Sequence, residues 1–508
     1  MKKITISLLS VFFIRFVLAQ GNPSALTPVA NLNLRPVNIE VPSIYAAHFP
    51  ANKIVYLPDG FKAKVFYASP LLSKPRFISF SPQGVLHVAD YNTGKVIALP
   101  DLNNDGIADT AITAASGLGN IHDVKFYDGA MYVTQERRVY KCIDANNDGV
   151  YENISVFIDT IAEGATQPGG GHRTRTIVFD SLNQKVYLSI GSYCNVCRET
   201  YRAIIEQYNI DGSGKRTYAT GIRNAVGMAL HPVTNRLWAN NNGSDNQGDD
   251  IPPEWIDLIR DGGFYGYPFA HSHQVWFDFD KGADYKALKP ITKADSMLVA
   301  KMLPPAALIE AHAAPMAMVF LNQSFSSLYR NGILMALRGS WNSSVYRGYK
   351  LIYLDLTDEN DTTVNYVANF CTGFLTDSLA GIRWARPVGL ALDANGNIYL
   401  TSDDLNRFVL LIYHDRSTGS KDNSEEKIFD VKLFPNPLFN TSLSIALHSS
   451  LDYSCTLTLR DISSREIFAE EINVRAGKNL FSFDLETLKS GIYFAFIGNQ
   501  CIGKIIRN

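Results

Sequence analysis

"NRLWANNNGSDNQGDDIPPEW", residues 235–255, joins two unlike pieces of chain. The first, Asn235-Arg236-Leu237-Trp238, is a turn residue followed by alternating apolar side chains, the period-two pattern of a half-buried strand. The second is a dense run of Asn, Asp, Gly and Ser that stops at two prolines. Surface turns use such residues, and their oxygens also suit a hard cation such as calcium. Asp249 or Asp250 can cap a short helical turn that opens on Pro252 and Pro253, continues through Glu254 to Ile259 and stops at Gly262-Gly263.

The strand phrase recurs. It stands at Gly84-Val85-Leu86-His87-Val88, Gly129-Ala130-Met131-Tyr132-Val133, Gln184-Lys185-Val186-Tyr187-Leu188, Gly332-Ile333-Leu334-Met335 and Asn397-Ile398-Tyr399-Leu400. Most copies have a partner strand downstream, such as Lys95-Val96-Ile97-Ala98-Leu99, Tyr349-Lys350-Leu351-Ile352-Tyr353 or Phe408-Val409-Leu410-Leu411-Ile412. The spacing is roughly 45 to 65 residues, with one gap of nearly twice that, the period of propeller blades built from short strands. Six copies predict an all-β, six-bladed β-propeller over residues 50–415, the wide gap near residues 251–330 being an inserted loop region. A pair of packed sheets is the alternative. Residues 416–427, "RSTGSKDNSEEK", read as a linker. Residues 428–508 read as a separate small β-sandwich, with alternation at Leu443-Ser444-Ile445-Ala446-Leu447 and Cys455-Thr456-Leu457-Thr458-Leu459.

Composition agrees. The chain has 508 residues, more than one ordinary core holds. A net charge of -2 leaves no large basic field for nucleic acid or anionic lipid. The 25 Tyr and 28 Phe lean towards β structure. Residues 1–19 read as an export signal: Lys2 and Lys3 precede an apolar run from Ile4 to Leu18, and Val17-Leu18-Ala19 offers small residues for cleavage. Arg15 argues against a membrane anchor, and no other stretch is long and apolar enough to span a bilayer. Residues 20–49 form a lead-in. Export permits disulfides. Cys194-Asn195-Val196-Cys197 lacks further ligands at zinc spacing, which leaves a local disulfide or a pair of thiols. Cys455 and Cys501 could bridge within the C-terminal block.

Candidate chemistry sits beside the strands. In "GGGHRTRTIVF", residues 169–179, His172 stands just before a strand, where a neutral imidazole at the channel mouth could take a proton from an alcohol. A loop histidine with a hydrogen-bonding role is the plainer reading. In "GIRNAVGMAL", residues 221–230, Arg223 offers a planar fork for carboxylates and Asn224 a donor and an acceptor. Arg223 could equally pair with an acid of a neighbouring blade. At Asn241-Asn242-Gly243-Ser244 the backbone can approach a ligand closely, because Gly243 has no side chain. His122 and His312 are reserve candidates for channel-facing roles.

Taken in order, "GHRTRTIVFD…KVYLSIGSYCNVC", "ATGIRNAVGMALHP…LWANNNGSDNQGDDIPPEWIDLIRDGGFYGYP", "GILMALRGSWNSSVYRGYK" and "ARPVGLALDANGNIYLTSDD" resemble the soluble glucose/sorbosone dehydrogenase family of quinoproteins, over roughly residues 50 to 415. The resemblance implies a six-bladed propeller that binds pyrroloquinoline quinone (PQQ) and calcium. PQQ carries three carboxylates and an ortho-quinone, and each charge-assisted bond to it contributes roughly 1.5–3 kcal/mol. It further implies that Arg223, Asn224 and Arg386, with Arg338 as a fourth candidate, hold the cofactor. Calcium would rest on the backbone carbonyls of Gly243 and Ser244. His172 would take the substrate hydroxyl proton, and Asp250 would help position the sugar. Two departures are plain: Arg338 stands where relatives commonly show His, and "SDDLNRFVLLIY" lacks the usual glycines after its two aspartates.

Residues 101–109, "DLNNDGIAD", and 144–152, "DANNDGVYE", open like calcium loops but have no Glu at the twelfth position; Asp-Gly is also the favoured hairpin turn. In the last block "LFPNPL", "LKSGIYFAFI" and the basic end Lys504-Ile505-Ile506-Arg507 resemble the type IX secretion sorting domain. An Ig-like or carbohydrate-binding module is the alternative. The whole therefore predicts an exported dehydrogenase of a sugar or related polyol. It would pass electrons to an external acceptor and reach the surface of a Gram-negative bacterium through the type IX machinery. The rivals are a propeller hydrolase of the lactonase type with a bare calcium, which has no need of several channel arginines, and a non-catalytic surface-binding propeller.

Overall fold

The computed structural model describes residues 25–162, 170–321, 325, 329, 332–356, 362–415, 428–438, 441–449, 452–461, 466–497 and 500–507. The expected export signal and linker lie outside the described residues. The chain divides into two compact units, Met1–Arg416 and Ser417–Asn508.

Among the described residues the first unit contains six four-stranded antiparallel blades, two of them with an added strand. Blade 1 runs Pro75–Phe80, Leu86–Asp90, Lys95–Leu99, Ile112–Ala115. Blade 2 runs Ile121–Tyr127, Ala130–Gln135, Val139–Ile143, Asn153–Ile158. Blade 3 runs Ile177–Asp180, Lys185–Ile190, Ile204–Asn209, Arg216–Thr220. Blade 4 runs Met228–Leu230, Leu237–Asn241, Glu254–Leu258, Ala307–Ile309. Blade 5 runs Pro315–Phe320, Ile333–Leu337, Lys350–Leu354, Val367–Cys371. Blade 6 runs Pro387–Leu392, Ile398–Ser402, Phe408–His414, and takes its outer strand, Phe61–Tyr67, from the start of the domain. The inner strands touch in sequence, and that of blade 6 touches that of blade 1, so the ring is closed. Closure leaves no free edge between the first and last blades.

Each recurring strand phrase is the second strand of a blade. The turn residue before it adopts the left-handed region at Gly84 (φ +80°), Gln184 (+54°) and Asn235 (+54°), which Gly and Asn tolerate best. The wide gap holds the last two strands of blade 4 with an insertion between them. That insertion contains the hairpin Ala270–His271 with Val275–Trp276 and the helices Ala283–Lys286 and Lys293–Val299. The helical turn expected at Glu254 to Ile259 is a strand instead. Glu254–Leu258 is buried at every position and pairs on both sides, with Asn241 to Trp238 and with Ile309 to Ala307. Ladder bonds on both edges override the local capping signal.

Blades are stitched near the channel by short polar side chains of their second strands. Thr134 Oγ1 accepts from the Asp123 N–H of its own blade (3.0 Å) and donates to Arg175 O of the next (2.6 Å). Asn240 links Gly227 N–H to Met316 O in the same way (2.9 and 2.6 Å). Thr401 links Gly389 N–H to Arg76 O (2.8 and 2.7 Å) across the closing junction. A side chain at Gly389 would meet Arg76 O at 2.3 Å, which is why this strand has none there.

Residues 101–109 and 144–152 connect third and fourth strands of blades 1 and 2, and each closes on its first aspartate. Asp101 accepts from Asp105 and Gly106 N–H, and Asp144 from Asp148 and Gly149 N–H. Cys194 and Cys197 form a disulfide; the side chain of Cys501 lies outside the described residues. The second unit packs a three-stranded against a four-stranded antiparallel sheet around Leu443, Ile445, Leu457, Leu459, Ala495 and Ile505.

Thr401 is fully buried. Thr401→Val keeps its shape but leaves Gly389 N–H and Arg76 O unpaired, and is expected to cost about 1–3 kcal/mol. Thr401→Ser is expected to retain most of the stability. Guanidinium unfolding of the three proteins checks this; equal midpoints for Val and Thr would mean that the stitch adds nothing.

Candidate active site at the channel mouth

In an up-and-down blade the start of the inner strand and the turn after the second strand lie at the same end. Every candidate residue comes from one of those two places. His172 precedes the inner strand of blade 3, Arg223 and Asn224 that of blade 4, and Arg386 that of blade 6; Gly243 and Arg338 follow the second strands of blades 4 and 5. Inner-strand irregularities at Pro75/Ile78, Pro315/Met318 and Pro387/Leu390 turn the chain at this end.

These residues line one cavity of about 540 Å³, within the usual range of roughly 300–1,000 Å³ for small-molecule sites. His172, Arg223, Asn224, Gly243, Arg338 and Arg386 all face it. Two expected residues do not. Ser244 is buried behind it, its hydroxyl accepting from Tyr285 (2.7 Å). Asp250 lines a different cavity and pairs with Arg347 (2.9 Å), its carboxylate 85% exposed. The loop between Gly243 and Asp250 carries the aspartate past the rim, so it does not line the main cavity with the other candidates.

The cavity also gathers residues that no motif singled out. Lys74, Arg76 and Arg173 join Arg223, Arg338 and Arg386, so that among the described residues six cationic side chains line it against two carboxylates, Asp245 and Glu254. Arg76 and Arg338 share buried Asp403 (2.5 and 2.8 Å). Burial alone would raise the Asp403 pKa, but the two guanidiniums outweigh it and hold the carboxyl below its ordinary value. Arg386 donates to the carbonyls of Arg338 (3.0 Å) and Gly339 (2.5 Å); burial, then Arg338, pushes it down to about 10. Glu254 accepts from Gly243 N–H, and burial pushes it up to about 8. A position signal could have found Arg76: "KPRFISF" puts it at the start of an inner strand, close to where "IRNAVGM" and "ARPVGL" put Arg223 and Arg386 relative to theirs.

His172 Nδ1 lies 2.9 Å from both Ser192 O and Ser192 Oγ. A carbonyl only accepts, so the network assigns the proton to Nδ1 and leaves Nε2 with its lone pair. Burial, then Arg223, holds the imidazole pKa down to about 3, so it is neutral at pH 7. Among the described residues, Asn224 Oδ1 is buried without a hydrogen-bond partner, an acceptor open to a donor. Reserve candidate His312 reaches the rim and bonds Gly248 O (2.9 Å). The other, His122, is packed on Phe77 and accepts from Arg76 Nε (3.3 Å).

Arg223 has no spare N–H. Nε donates to Asn195 O (2.9 Å), Nη1 to Gly243 O (2.5 Å) and Asn242 O (3.4 Å), and Nη2 to Asn195 Oδ1 (3.1 Å) and Asp245 (3.3 Å). It is a clasp for the loop. The carbonyl of Gly243, where calcium was expected, is therefore already seated on a cation.

The fold and this mouth define a six-bladed propeller with a cation-lined cavity at one end of its channel. Residues 55–414 match the TrAA12-like family, and the chain belongs to it. Residues 432–507 match the secretion system C-terminal sorting domain. An uncharacterised protein of Borreliella burgdorferi is 27% identical over 389 residues, 74% of this chain and 95% of that one. The pyrroloquinoline quinone-dependent pyranose dehydrogenase of Coprinopsis cinerea is 27% identical over 235 residues, 37% of this chain and 30% of that protein, so the match spans under a third of its length. The fold matches the holo form of the PQQ domain of the Coprinopsis cinerea pyranose dehydrogenase (TM-score 0.59, 19% identity, 74% of this chain, 99% of that one). It also matches the calcium structure of the Trichoderma reesei family AA12 enzyme (TM-score 0.58, 20% identity, 70% and 96%).

His172 (about 3), His87 (about 4) and His271 (about 4) all have folded pKa values depressed by burial. The unfolded chain takes up protons below about pH 6.5 where these stay neutral, so the histidines' share of the stability is lost towards pH 4, while Glu254 and Asp257, raised by burial to about 8 and about 7, act in the opposite sense; His87→Gln is therefore expected to lose less stability than the wild type between pH 7 and 4. Denaturant midpoints of the wild type and His87→Gln between pH 7 and 4 check it; the same loss in both proteins would contradict it.

Proposed function

We propose that the protein is an exported PQQ-dependent dehydrogenase that oxidises a sugar or sugar-derived alcohol or aldehyde and passes the electrons to an external acceptor. The observation that supports it best is the convergence of Arg76, Arg338, Arg386 and Lys74 with the unpartnered Asn224 Oδ1 in one cavity. A tricarboxylate needs that excess of positive charge, and the cavity is large enough. PQQ held there would supply an ortho-quinone that accepts hydride from the substrate carbon. Arg338, whose terminal nitrogens bond nothing among the described residues, Arg386 and Arg76 would hold its carboxylates. Asn224 would accept from a ligand N–H or O–H.

His172 Nε2 takes the proton of the substrate hydroxyl; Ser192 holds the ring in the tautomer that permits this. Its low pKa makes it a weak base in the resting cavity but keeps it unprotonated and ready at any physiological pH. Trp341, 72% exposed on the rim, offers an apolar face to a sugar ring. Calcium fits less well. The residues expected to carry it present a carbonyl held by Arg223 and a buried serine, and the chemistry above uses no metal. The sorting domain supports delivery to the cell surface of a Gram-negative bacterium by the type IX machinery.

Mixing the purified protein with PQQ, aldoses, sorbosone and polyols, and following reduction of a dye, tests the reading. His172→Ala should lower turnover roughly 10²–10⁴-fold with PQQ still bound. Arg338→Ala should weaken PQQ binding about tenfold or more, the worth of one charged hydrogen bond. No PQQ retained by the wild type at micromolar concentration ends the proposal.

Washing with a calcium chelator is expected to leave PQQ retention within about twofold, because Arg223 already neutralises the loop carbonyls. Loss of PQQ on chelation, restored by calcium, would show that the metal displaces Arg223.

A further inference from the structure

One short connection, residues 191–197 after the second strand of blade 3, holds both halves of the site. Ser192 takes His172 Nδ1 on its carbonyl and hydroxyl, and its own N–H donates to Arg223 O (2.7 Å). Ser192 Oγ donates to Cys194 O (2.8 Å). Asn195 accepts Arg223 Nε on its carbonyl and Nη2 on its side chain, and the same Oδ1 accepts from Asp245 N–H (2.8 Å). Asn195 thus ties Arg223 to the loop that follows Gly243.

Asn195 lies between two cysteines joined to each other. The Cys194–Cys197 disulfide closes a ring of four residues and removes most of the freedom by which Asn195 could turn its carbonyl away. The far side of the ring is also anchored: Cys197 N–H donates to Tyr267 Oη (3.1 Å), and Glu199 accepts from Tyr193 N–H (2.8 Å). Cys194 lines the cavity, so a small dithiol can reach it. Glu199 Oε1 stands 3.0 Å from Cys197 Sγ, placed to exchange a proton with that sulfur.

We propose that the Cys194–Cys197 disulfide is a redox-controlled brace of the cofactor site, with Ser192 and Asn195 as its positioning residues. Oxidised, the ring fixes the His172 tautomer and the Arg223 clasp; reduced, both are released. The chain is then held inactive in a reducing cytoplasm and becomes competent once exported to an oxidising compartment. The chemistry balances. A dithiol thiolate attacks Cys194 Sγ, the S–S bond breaks, and Cys197 leaves as a thiolate that takes a proton. The reagent's second thiol then closes its own disulfide and frees Cys194, so two electrons and two protons pass to the protein. The effect on PQQ rests on the dehydrogenase reading; the effect on His172 and Arg223 does not.

The test uses the full chain in three forms: as purified, after dithiothreitol with alkylation mapped to Cys194 and Cys197 by mass, and after reoxidation. Two quantities are read, PQQ affinity and, without cofactor, the ¹⁵N resonances of His172. Reduction should weaken PQQ binding tenfold or more and shift His172 from a pure Nδ1–H tautomer to a mixture, and reoxidation should reverse both. Asn195→Ala, with its disulfide intact, should weaken PQQ binding by a similar factor yet leave the His172 signals in place. Far-UV dichroism identifies the folded samples, and Cys194→Ser/Cys197→Ser serves if alkylation unfolds the chain. If the His172 signals are the same in both redox states, the brace is refuted. If they shift as expected but no state binds PQQ, the brace stands and the dehydrogenase reading falls. Equal PQQ affinity in both states overturns the control of cofactor binding.

Discussion

The structure depends on a repeated stitch in which one short polar side chain serves two blades at once. Thr134, Asn240 and Thr401 each satisfy an N–H in or just before the inner strand of their own blade and donate to a carbonyl in or just before the inner strand of the next. Inner strands of a propeller fan around a channel, and their polar groups near the mouth have no ladder partner on the channel side. Buried amides and carbonyls left unpaired are costly, so each stitch removes a penalty and sets the angle between blades. At the last junction Thr401 bonds the carbonyl of Arg76, so closure of the ring and placement of a cavity arginine are one event.

That coupling explains how a cavity with so many cations exists. Arg76 comes from blade 1, Arg338 from blade 5, and Asp403, which holds both, from blade 6. Like charges at this range repel strongly in a low dielectric. Rigid blades keep them together and one buried carboxylate offsets part of the repulsion. The remaining charge is available to an anionic ligand. On the other side of the mouth Arg223 spends all its donors on Asn195, Asn242, Gly243 and Asp245, so it organises a loop where Arg338 and Arg386 remain open to the cavity.

The architecture was legible in the sequence because the second strands carry a local signature, although the structure buries them on both faces where the alternation implied half-buried strands. "GVLHV", "KVYLS" and "NIYLT" alternate, follow turn residues and recur at blade spacing. Glu254–Leu258 was misread for a physical reason. Its sequence, Glu-Trp-Ile-Asp-Leu, places two acids at buried positions and so breaks the alternation, and the prolines before it imitate a helix start. His172, Arg223 and Asn224 were legible because they flank strand ends, the one place where a local pattern reports a position on the rim; Arg338 and Arg386 were reached only through the resemblance to a family pattern. Asp250 was not, since nothing local says how far a loop of polar residues carries a side chain. Asn195 and Asp403 were invisible for a related reason: their roles are hydrogen bonds to residues 28 and 65 positions away.

The sequence by itself determined the number of blades, the separate C-terminal sandwich and which residue types stand at the rim, because period-two alternation and turn chemistry act over a few residues. Only the tertiary structure decided which of those residues share one cavity, that Arg223 is a clasp, that His172 is neutral with its proton on Nδ1, and that Asp250 stands elsewhere. Those outcomes depend on burial and on partners brought from distant blades, and neither quantity exists until the ring has closed.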